Sequence, residues 1–537
     1  MPTHLQNHIK NLLLPCLAFS LAAGFLSAIL ITAFKIAAEW VVYLSSLVYG
    51  AVRENPVLLP LLILAASAIG LTASIILSFS RNCRGGGIPT SVAAIRGIVS
   101  FKWLAGILVM PFSALLTFLC GLPLGSEGPC VQMGTAAGDG IVKCFGNKKY
   151  RGWRRYIMTG GASAGFSIAT ASPITAIIFS MEELHKHFSP LLLSVASLSV
   201  MSAQITSRFL AFLGFGSLGL FHLPEMSALS LKMLFVPLVM GLAVGFSSIL
   251  FTRFYHFVDR MMHSILKKLS VKLVFPVIFA IVSVVGFFIS DAIGSGHALV
   301  EELFRTQIAW YMLIIIFLLR ALGMMVSNTS GASGGVFLPT LAFGAMIGSL
   351  SAEIMIALGW IGEEFYVLLV ALGIAAFLGS TSRIPVTACV FSIEALGCIN
   401  NILPVIIATA IALLVVEASG LEDFTDTVID AKLRSLSRGK KPALIEATFT
   451  VSENAFVVGK EIRDVFWPNS CVVISFERLP ENFGKPKIAA GDIITVRYST
   501  YDLFATAEEL KALVGEDSEI SHRVINSDNE NVSLIAN

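Results

Sequence analysis

Long apolar runs separated by short polar stretches dominate the hydropathy pattern of this chain. The runs lie near residues 12–48, 57–79, 103–124, 156–181, 190–215, 231–254, 273–291, 308–326, 336–358, 366–396 and 402–416. Several exceed the ~20 residues of one membrane-spanning helix, and some contain interior glycine or proline. Backbone leaves a helix at membrane depth only where it lines a cavity or a site. The pattern predicts about ten to eighteen helices, many of them tilted, broken or not spanning.

Composition narrows the class of protein. Hydrophobic residues make up 55% of the chain and charged residues 13%, whereas a soluble domain carries about 25% charged residues. A single soluble domain, a disordered scaffold and a disulfide-rich secreted protein are excluded. The net charge of +2 predicts no nucleic-acid partner, and the cysteines show no CxxC spacing that would indicate a metal or disulfide framework.

The distribution of positive charge predicts the orientation in the membrane. The first apolar run is too long for a signal-peptide core, so we expect it to remain in the mature protein. Lysine and arginine cluster in residues 148–155, 253–272 and 432–441. Loops of membrane proteins that are rich in lysine and arginine remain on the cytoplasmic side of the membrane. We therefore expect a multi-pass protein of the inner or plasma membrane, with both termini in the cytoplasm.

An internal repeat indicates the architecture. Residues 173–182 (PITAIIFSME) match residues 385–394 (PVTACVFSIE) at six of ten positions, and residues 125–129 align with residues 335–339 at nearly the same offset. Gly134 and Gly138 then fall on Gly344 and Gly348. Repeated halves place a binding site at their interface near the bilayer midplane. We predict an all-α membrane domain over residues 1–430, with halves at about 12–215 and 230–430.

Beyond this domain the composition becomes that of a soluble protein. Residues 431–443 form a basic linker, and residues 444–515 predict a small α+β cytoplasmic domain. Within it, strands are expected at 444–451, 471–477 and 493–498, and a helix at 505–514. Residues 516–537 are acidic and rich in Asn and Ser, which predicts a disordered tail.

Three glycine-rich breaks precede predicted helices at residues 85–89 (GGGIP), 125–129 (GSEGP) and 333–339 (SGGVFLP). Glycine lets main-chain N–H groups approach a ligand, and proline in the first turn starts a helix. Helix N-termini attract anions. Together the breaks indicate a desolvated anion held by backbone amides. The alternative is helix packing through small residues, which is common in membranes.

Two glutamates are the candidate proton-handling groups. Glu127 lies between two glycines at a predicted helix start, where a carboxylate can take the place of an anion and leave on protonation. The alternative is a simple capping carboxylate. Glu182 has a repeat partner, Glu394, whereas Glu183 aligns with Ala395. The unshared Glu183 is the better candidate for a one-sided task such as proton uptake, the alternative being a solvated interfacial acid.

The three breaks, in this order, resemble the signature motifs of the CLC family of chloride channels and proton-coupled chloride transporters. The resemblance covers residues 12–430 and implies a homodimer of inverted-repeat subunits, each with its own pore. It implies that Glu127 is the gate, that Glu183 transfers protons on the inner side, and that main-chain N–H groups of Val336 and Phe337 bind the anion. The implied anion-binding residues are Gly85, Gly86, Gly87, Ile88, Ser126, Glu127, Gly128, Val336, Phe337 and Thr425.

Three positions depart from the family pattern. Gly86 stands where relatives usually have a serine, Thr425 falls at the position of the central-site tyrosine, and Ser126 replaces a common Arg or Lys. Both side-chain hydroxyl donors of the central site, at positions 86 and 425, are therefore missing or altered. We expect weakened chloride preference, and Gly86→Ser is expected to tighten chloride binding.

The soluble region resembles the C-terminal domain of potassium-transport regulators (the TrkA-C type) through residues 457–462, 471–476 and 490–496. This implies a dimerising regulatory module that responds to an unidentified small ligand.

For the whole protein, we predict chloride/proton exchange without a cofactor or an enzymatic reaction. The alternatives are a passive chloride channel of the same fold, an exchanger that prefers another anion such as fluoride, and an anion-sensing receptor. Glu183 favours exchange, and only the soluble tail favours a receptor.

Overall fold

The computed structural model describes most of the membrane domain and much of the C-terminal region. The described residues are 13–99, 102–145, 148–216, 219–221, 223–429, 443–453, 455–468, 471–480, 487–500, 503–515, 518, 520–525 and 532–534.

The first half of the membrane domain is helical, with long outer helices and short inner ones. Its helices are α1 (Leu14–Glu54), α2 (Leu59–Ile76), α3 (Gly87–Ile95), α4 (Trp103–Leu119), α5 (Glu127–Phe145), α6 (Arg154–Thr170), α7 (Pro173–Phe179) and α8 (Pro190–Phe212). A π-helical turn, Ser180–His185, continues α7. Proline in the first turn of α7 and α8 fits their sharp starts, because its missing N–H would have no partner there.

The second half repeats this pattern. Its helices are α9 (Phe235–Lys268), α10 (Val271–Phe288), α11 (His297–Arg305), α12 (Trp310–Ser330), α13 (Phe337–Ala357), α14 (Tyr366–Thr381), α15 (Pro385–Glu394) and α16 (Ile402–Ala418). Residues 424–429 are also helical. Within the described ranges, nine helices are long and apolar enough to cross a bilayer. The predicted polytopic fold, with helices broken between α4 and α5 and between α12 and α13, is confirmed.

The same helix crossing appears in both halves, at the glycines that the sequence aligned. A Cβ atom on Gly134 of α5 would lie 2.1 Å from the carbonyl oxygen of Gly161 in α6. On Gly344 of α13, a Cβ atom would lie 2.7 Å from the carbonyl oxygen of Gly373 in α14. Backbones approach this closely only where no side chain intervenes. The repeat is therefore present in the packing as well as in the sequence.

The shared glutamates connect the two halves by capping each other's short helices. Glu182 accepts hydrogen bonds from the N–H groups of Val386 (3.0 Å) and Thr387 (2.7 Å) at the start of α15. Glu394 accepts the equivalent bonds from Ile174 (2.9 Å) and Thr175 (2.7 Å) at the start of α7. Both threonine hydroxyls add a bond of 2.7 Å. Each carboxylate thus satisfies amides that have no partner inside their own helix.

The C-terminal region forms an antiparallel sheet in the order β2-β3-β1-β4-β5. Its elements are β1 (Ala443–Thr450), β2 (Val472–Glu477), β3 (Ile493–Thr500), α17 (Leu503–Val514), β4 (Ile520–Val524) and β5 (Val532–Leu534). The first three strands and the helix lie where the sequence predicted them. The linker prediction concerns residues that, except for Ala443, fall outside the described ones.

The structure differs from the sequence-based expectation after residue 515. Instead of a wholly disordered tail, β4 pairs with β1, with Ile445 opposite Val524 and Phe449 opposite Ile520. Without β4, one edge of β1 would expose unpaired N–H and C=O groups, and main-chain pairing satisfies them whatever the overall hydrophobicity of the added segment. The low hydrophobicity of the tail therefore did not exclude a strand.

This soluble region contacts the membrane domain at the start of α6. The hydroxyl of Tyr156 donates to the carbonyl of Asp464 (3.0 Å) and accepts from the N–H of Phe466 (2.9 Å). The Arg155 guanidinium lies over the Phe466 ring, 4.3 Å from its centre. The soluble region and the basic stretch 148–155 thus lie on the same side of the membrane domain.

We predict that Glu182→Ala and Glu394→Ala each lower the unfolding temperature of the purified protein by a few degrees, because each removes a helix cap worth about 0.5–2 kcal/mol. Glu225→Ala, in an exposed loop, is the control. If only one of the two variants had a lower unfolding temperature, the result would contradict the reciprocal capping by Glu182 and Glu394.

Candidate functional site

The first turns of three helices meet where the two halves of the membrane domain join. Gly125 and Gly335 form an isolated antiparallel bridge, with a 2.7 Å hydrogen bond in each direction between their backbone groups. A Cβ atom on Gly87 would lie 2.0 Å from the carbonyl oxygen of Gly128, and one on Gly128 would lie 2.7 Å from the Cα of Gly335. Only glycine permits these approaches. The starts of α3, α5 and α13 are therefore held together.

Glu127 occupies the centre of this junction. Its side chain is only 1% exposed. Its Oε1 lies 3.4 Å from the hydroxyl of Ser126, and the main chain of Leu338 in the first turn of α13 lies close to the carboxylate. Oε2 has no hydrogen-bond partner among the described residues. The carboxylate thus lies against the N-terminus of α13, which is the environment that attracts a small anion.

Gly85 and Gly86 face a cavity of about 890 Å³ that we call the basic vestibule. Its charged lining includes Arg81, Arg84, Arg253 and Arg260, with Asp259 as its acidic residue. Excess positive charge at a cavity wall raises the local concentration of anions. The first glycine motif therefore lies at the end of an anion-attracting entrance.

The remaining predicted anion-binding residues are distributed around this junction. Ile88 is buried in the first turn of α3. Val336 immediately precedes α13 and Phe337 begins it. The Phe337 ring packs edge-on against Phe166, with ring centres 5.0 Å apart. The structure brings the residues of the three motifs together, while their role in binding an anion stays a prediction.

Thr425 lies in the short helical segment 424–429 that follows α16. Its main-chain N–H donates to Oδ1 of Asp423 (2.9 Å), and its side chain lies close to the carboxyl group of Glu183. Among the residues that line the vestibule, Leu421 and Val428 come from this segment. The structure thus groups Thr425 with the candidate proton-transfer residue, and its role as an anion ligand stays a prediction.

Glu183 lies in the π-helical turn, outside the nine apolar helices, and is only 3% exposed. Arg96 holds this turn by donating to the main-chain carbonyls of Glu183 (3.1 Å) and Leu184 (3.0 Å). The carboxyl Oε2 has no partner in the described part of the chain. Burial, and then the negative charge of Asp423, raise the pKa of the Glu183 carboxyl group. Such a group takes up a proton more readily than an exposed glutamate.

Two neighbours of Gly86 escaped the sequence analysis. The hydroxyl of Tyr255 in α9 donates to Oδ1 of Asn328 in α12, at 2.9 Å. Both residues are buried, and both line the basic vestibule. Residues 328–330 (NTS) precede Gly331 and have the composition of an ordinary helix end, so no motif distinguished Asn328.

Across the described ranges, no group of three His, Cys, Asp or Glu side chains is placed to hold a metal ion.

These features define an integral membrane protein built from two repeated halves, with converging helix N-termini and a buried carboxylate at their junction. A family model described as "Voltage gated chloride channel" matches residues 68–417, which is more than half of the chain. The chain belongs to this family, the CLC family.

Individual relatives agree with this assignment. The "H(+)/Cl(-) exchange transporter ClcA" of Yersinia pestis bv. Antiqua (strain Angola) is 26% identical over 454 residues, which cover 83% of this chain and 93% of the relative. A slow cyanobacterial Cl-/H+ antiporter shares the fold with a TM-score of 0.70 and 22% identity, covering 78% of this chain and 98% of the other. A CLC-type fluoride/proton antiporter shares it with a TM-score of 0.58 and 22% identity, covering 74% and 94%.

Proposed function

We propose that this protein exchanges a small anion, chloride in the first place, for protons across the membrane. The observation that carries the proposal is the position of Glu127, whose buried carboxylate lies at the junction of three helix N-termini and has one oxygen without a partner in the described ranges. The named activities of the ClcA relative and of the cyanobacterial antiporter agree with it. We also propose a homodimer with cytoplasmic termini, as the family resemblance implies.

The anion step follows from competition for the same N–H donors. While ionised, the Glu127 carboxylate lies at the start of α13 and blocks an anion there. A proton neutralises the carboxylate and weakens its hold on the amides, because hydrogen bonds to a charged acceptor are the stronger ones. An anion from the basic vestibule then takes its place. Deprotonation restores the carboxylate and expels the anion, so that one group couples both ions.

The proton step uses Glu183 on the side where the soluble region docks. Its carboxyl group is buried, its turn is fixed by Arg96, and its raised pKa favours proton uptake near neutral pH. Lys186 nearby is already paired with Asp423 (3.0 Å) and Asp426 (2.6 Å), which leaves Glu183 without a direct ion-pair partner among these charges. We infer that Glu183 receives protons there and passes them toward Glu127.

Exchange of another halide is the second candidate. The motivating observation is Gly86, which lines the basic vestibule and places no side-chain hydroxyl at the first motif. The CLC-type fluoride/proton antiporter is a protein of the same fold whose named transported anion is fluoride. Parallel flux measurements with chloride and fluoride distinguish the two substrates.

We propose that residues 444–515 form a TrkA-C-like regulatory domain bound by an unidentified small ligand, after a linker at 431–443. Its Phe466 ring contacts His185 edge-on, with ring centres 4.3 Å apart. His185 belongs to the same π-helical turn as Glu183. A change in docking therefore acts directly on the turn that holds the proposed proton acceptor.

We predict that Glu127→Gln in proteoliposomes retains chloride flux and loses coupled proton movement. The neutral amide no longer competes as an anion, and it does not titrate, so it cannot carry a proton through the transport cycle. Chloride efflux and pH change, recorded together, provide the measurement, and Glu225→Gln in an exposed loop is the control. Proton movement at the wild-type level in Glu127→Gln would remove this residue from the mechanism.

The neighbouring glutamates provide a second, internally controlled prediction. Glu183→Gln is expected to abolish proton coupling while chloride flux continues, because the residue lies away from the glycine junction. Glu182→Gln keeps a carbonyl oxygen that can accept from the start of α15, so it should retain most of the coupling. The reverse order of the two effects in the same flux assay would show that the assignments are exchanged.

A further inference from the structure

The wall of the basic vestibule carries a side-chain N–H donor beside Gly86. If residue 86 had a side chain, its Cβ atom would lie 3.6 Å from Nδ2 of Asn328. The Asn328 side chain belongs to a residue that is 5% exposed, and Nδ2 has no hydrogen-bond partner in the described part of the protein. A buried amide group without a partner is unfavourable and calls for an explanation.

The orientation of this amide is fixed by Tyr255. The Tyr255 hydroxyl, itself buried, donates to Oδ1 of Asn328 at 2.9 Å. The tyrosine ring in turn packs edge-on against Phe424, with ring centres 4.7 Å apart. Since Oδ1 is engaged by a donor, the opposite side of the amide presents Nδ2 next to the first glycine motif. The donor is therefore preorganised.

A purely structural role does not account for this side chain. Asn328 lies in the last turn of α12, where asparagine often serves the helix end, yet the bonds that close this end come from the main chain. Gly331 N–H donates to the carbonyl of Asn328 (3.0 Å), and Ala332 N–H donates to that of Ser327 (3.0 Å). The side-chain amide takes no part in these bonds.

We propose that Asn328 is an anion-binding residue and that its Nδ2–H group supplies the side-chain donor missing at Gly86. Tyr255 acts as its positioning residue. The inference rests on the proposed anion transport, and it adds a ligand that none of the three glycine motifs contains. A chloride ion beside Gly86 would receive main-chain amides from the motif and one oriented carboxamide from α12.

The first test is calorimetric titration of the purified full-length protein with chloride. Asn328→Leu replaces the amide by an apolar group of similar size and should weaken chloride binding by about tenfold or more, since a hydrogen bond to a charged group contributes about 1.5–3 kcal/mol and 1.4 kcal/mol corresponds to tenfold. Tyr255→Phe keeps the donor and loses its orientation, so a smaller loss of roughly threefold is expected. Tyr366→Phe, which removes a buried hydroxyl bonded to Ser349, is the matched control and should bind as the wild type does.

The second test asks whether residues 86 and 328 perform the same task. Gly86 has φ −65°, which serine accepts, and the nearest atom to an added Cβ is Pro89 Cδ at 3.3 Å. If Asn328 already supplies the donor, Gly86→Ser alone changes chloride affinity little, which revises the tightening expected from the sequence. In the Asn328→Leu background, the same Gly86→Ser substitution should raise chloride affinity at least threefold. Equal effects of Gly86→Ser in both backgrounds would contradict a shared role.

The outcomes separate this inference from the proposed function. If the wild type binds and transports chloride, and if Asn328→Leu and Tyr255→Phe both keep the wild-type chloride affinity, the role of Asn328 is overturned. The proposed transport function is then unaffected. No chloride binding or flux in the wild type would instead refute the proposed function. If Asn328→Leu does not elute from a size-exclusion column at the wild-type position, and is therefore misfolded, the test uses Asn328→Asp instead. The isosteric carboxylate offers an acceptor to the anion, so chloride binding should fall below detection, and retained binding would overturn the inference.

Discussion

The pair of backbone hydrogen bonds between Gly125 and Gly335 is the constraint on which the site depends. These two residues hold corresponding positions in the two repeated halves, and their bridge brings the starts of α5 and α13 into contact. Gly87 and Gly128 close the junction from the side of α3. A side chain at these positions would separate the helices and remove the shared concentration of N–H donors. Backbone without regular structure survives at membrane depth here because it lines this site.

The repeat also shows how one duplicated sequence acquires unequal tasks. Glu182 and Glu394 retain the same function in both halves, because each caps the short helix of the other half. Glu183 is one residue further along the π-helical turn and has no equivalent in the second half. Arg96 holds its turn through the main-chain carbonyls of Glu183 and Leu184 and not through the Glu183 carboxyl group. The symmetric residues hold the structure together, and the asymmetric one is available for a directional role.

Much of the fold follows from the sequence, because apolar run length, interior glycines and the repeat each have a direct physical consequence. The breaks at residues 125–129 and 333–339, the repeat and three strands of the soluble region lie where the pattern predicted. Other features depend on contacts between distant segments. Three such contacts are the placement of Thr425 beside Glu183, the pairing of Tyr255 with Asn328 and the docking of Tyr156 on Phe466. They join the segment 424–429 to the π-helical turn, α9 to α12, and α6 to the C-terminal region. No spacing rule reveals such pairs. The strand β4 was missed because its stability comes from the edge of β1 rather than from its own composition.

The central claim is that anion and proton movements are coupled through a carboxylate that competes with the anion. The most direct test uses wild-type protein in liposomes with a chloride gradient and no initial pH difference. When valinomycin and potassium clamp the voltage at zero, exchange predicts that chloride leaving the liposomes drives protons inward and builds a pH gradient. Chloride flux at the same rate without any pH change would contradict coupling and indicate a passive channel.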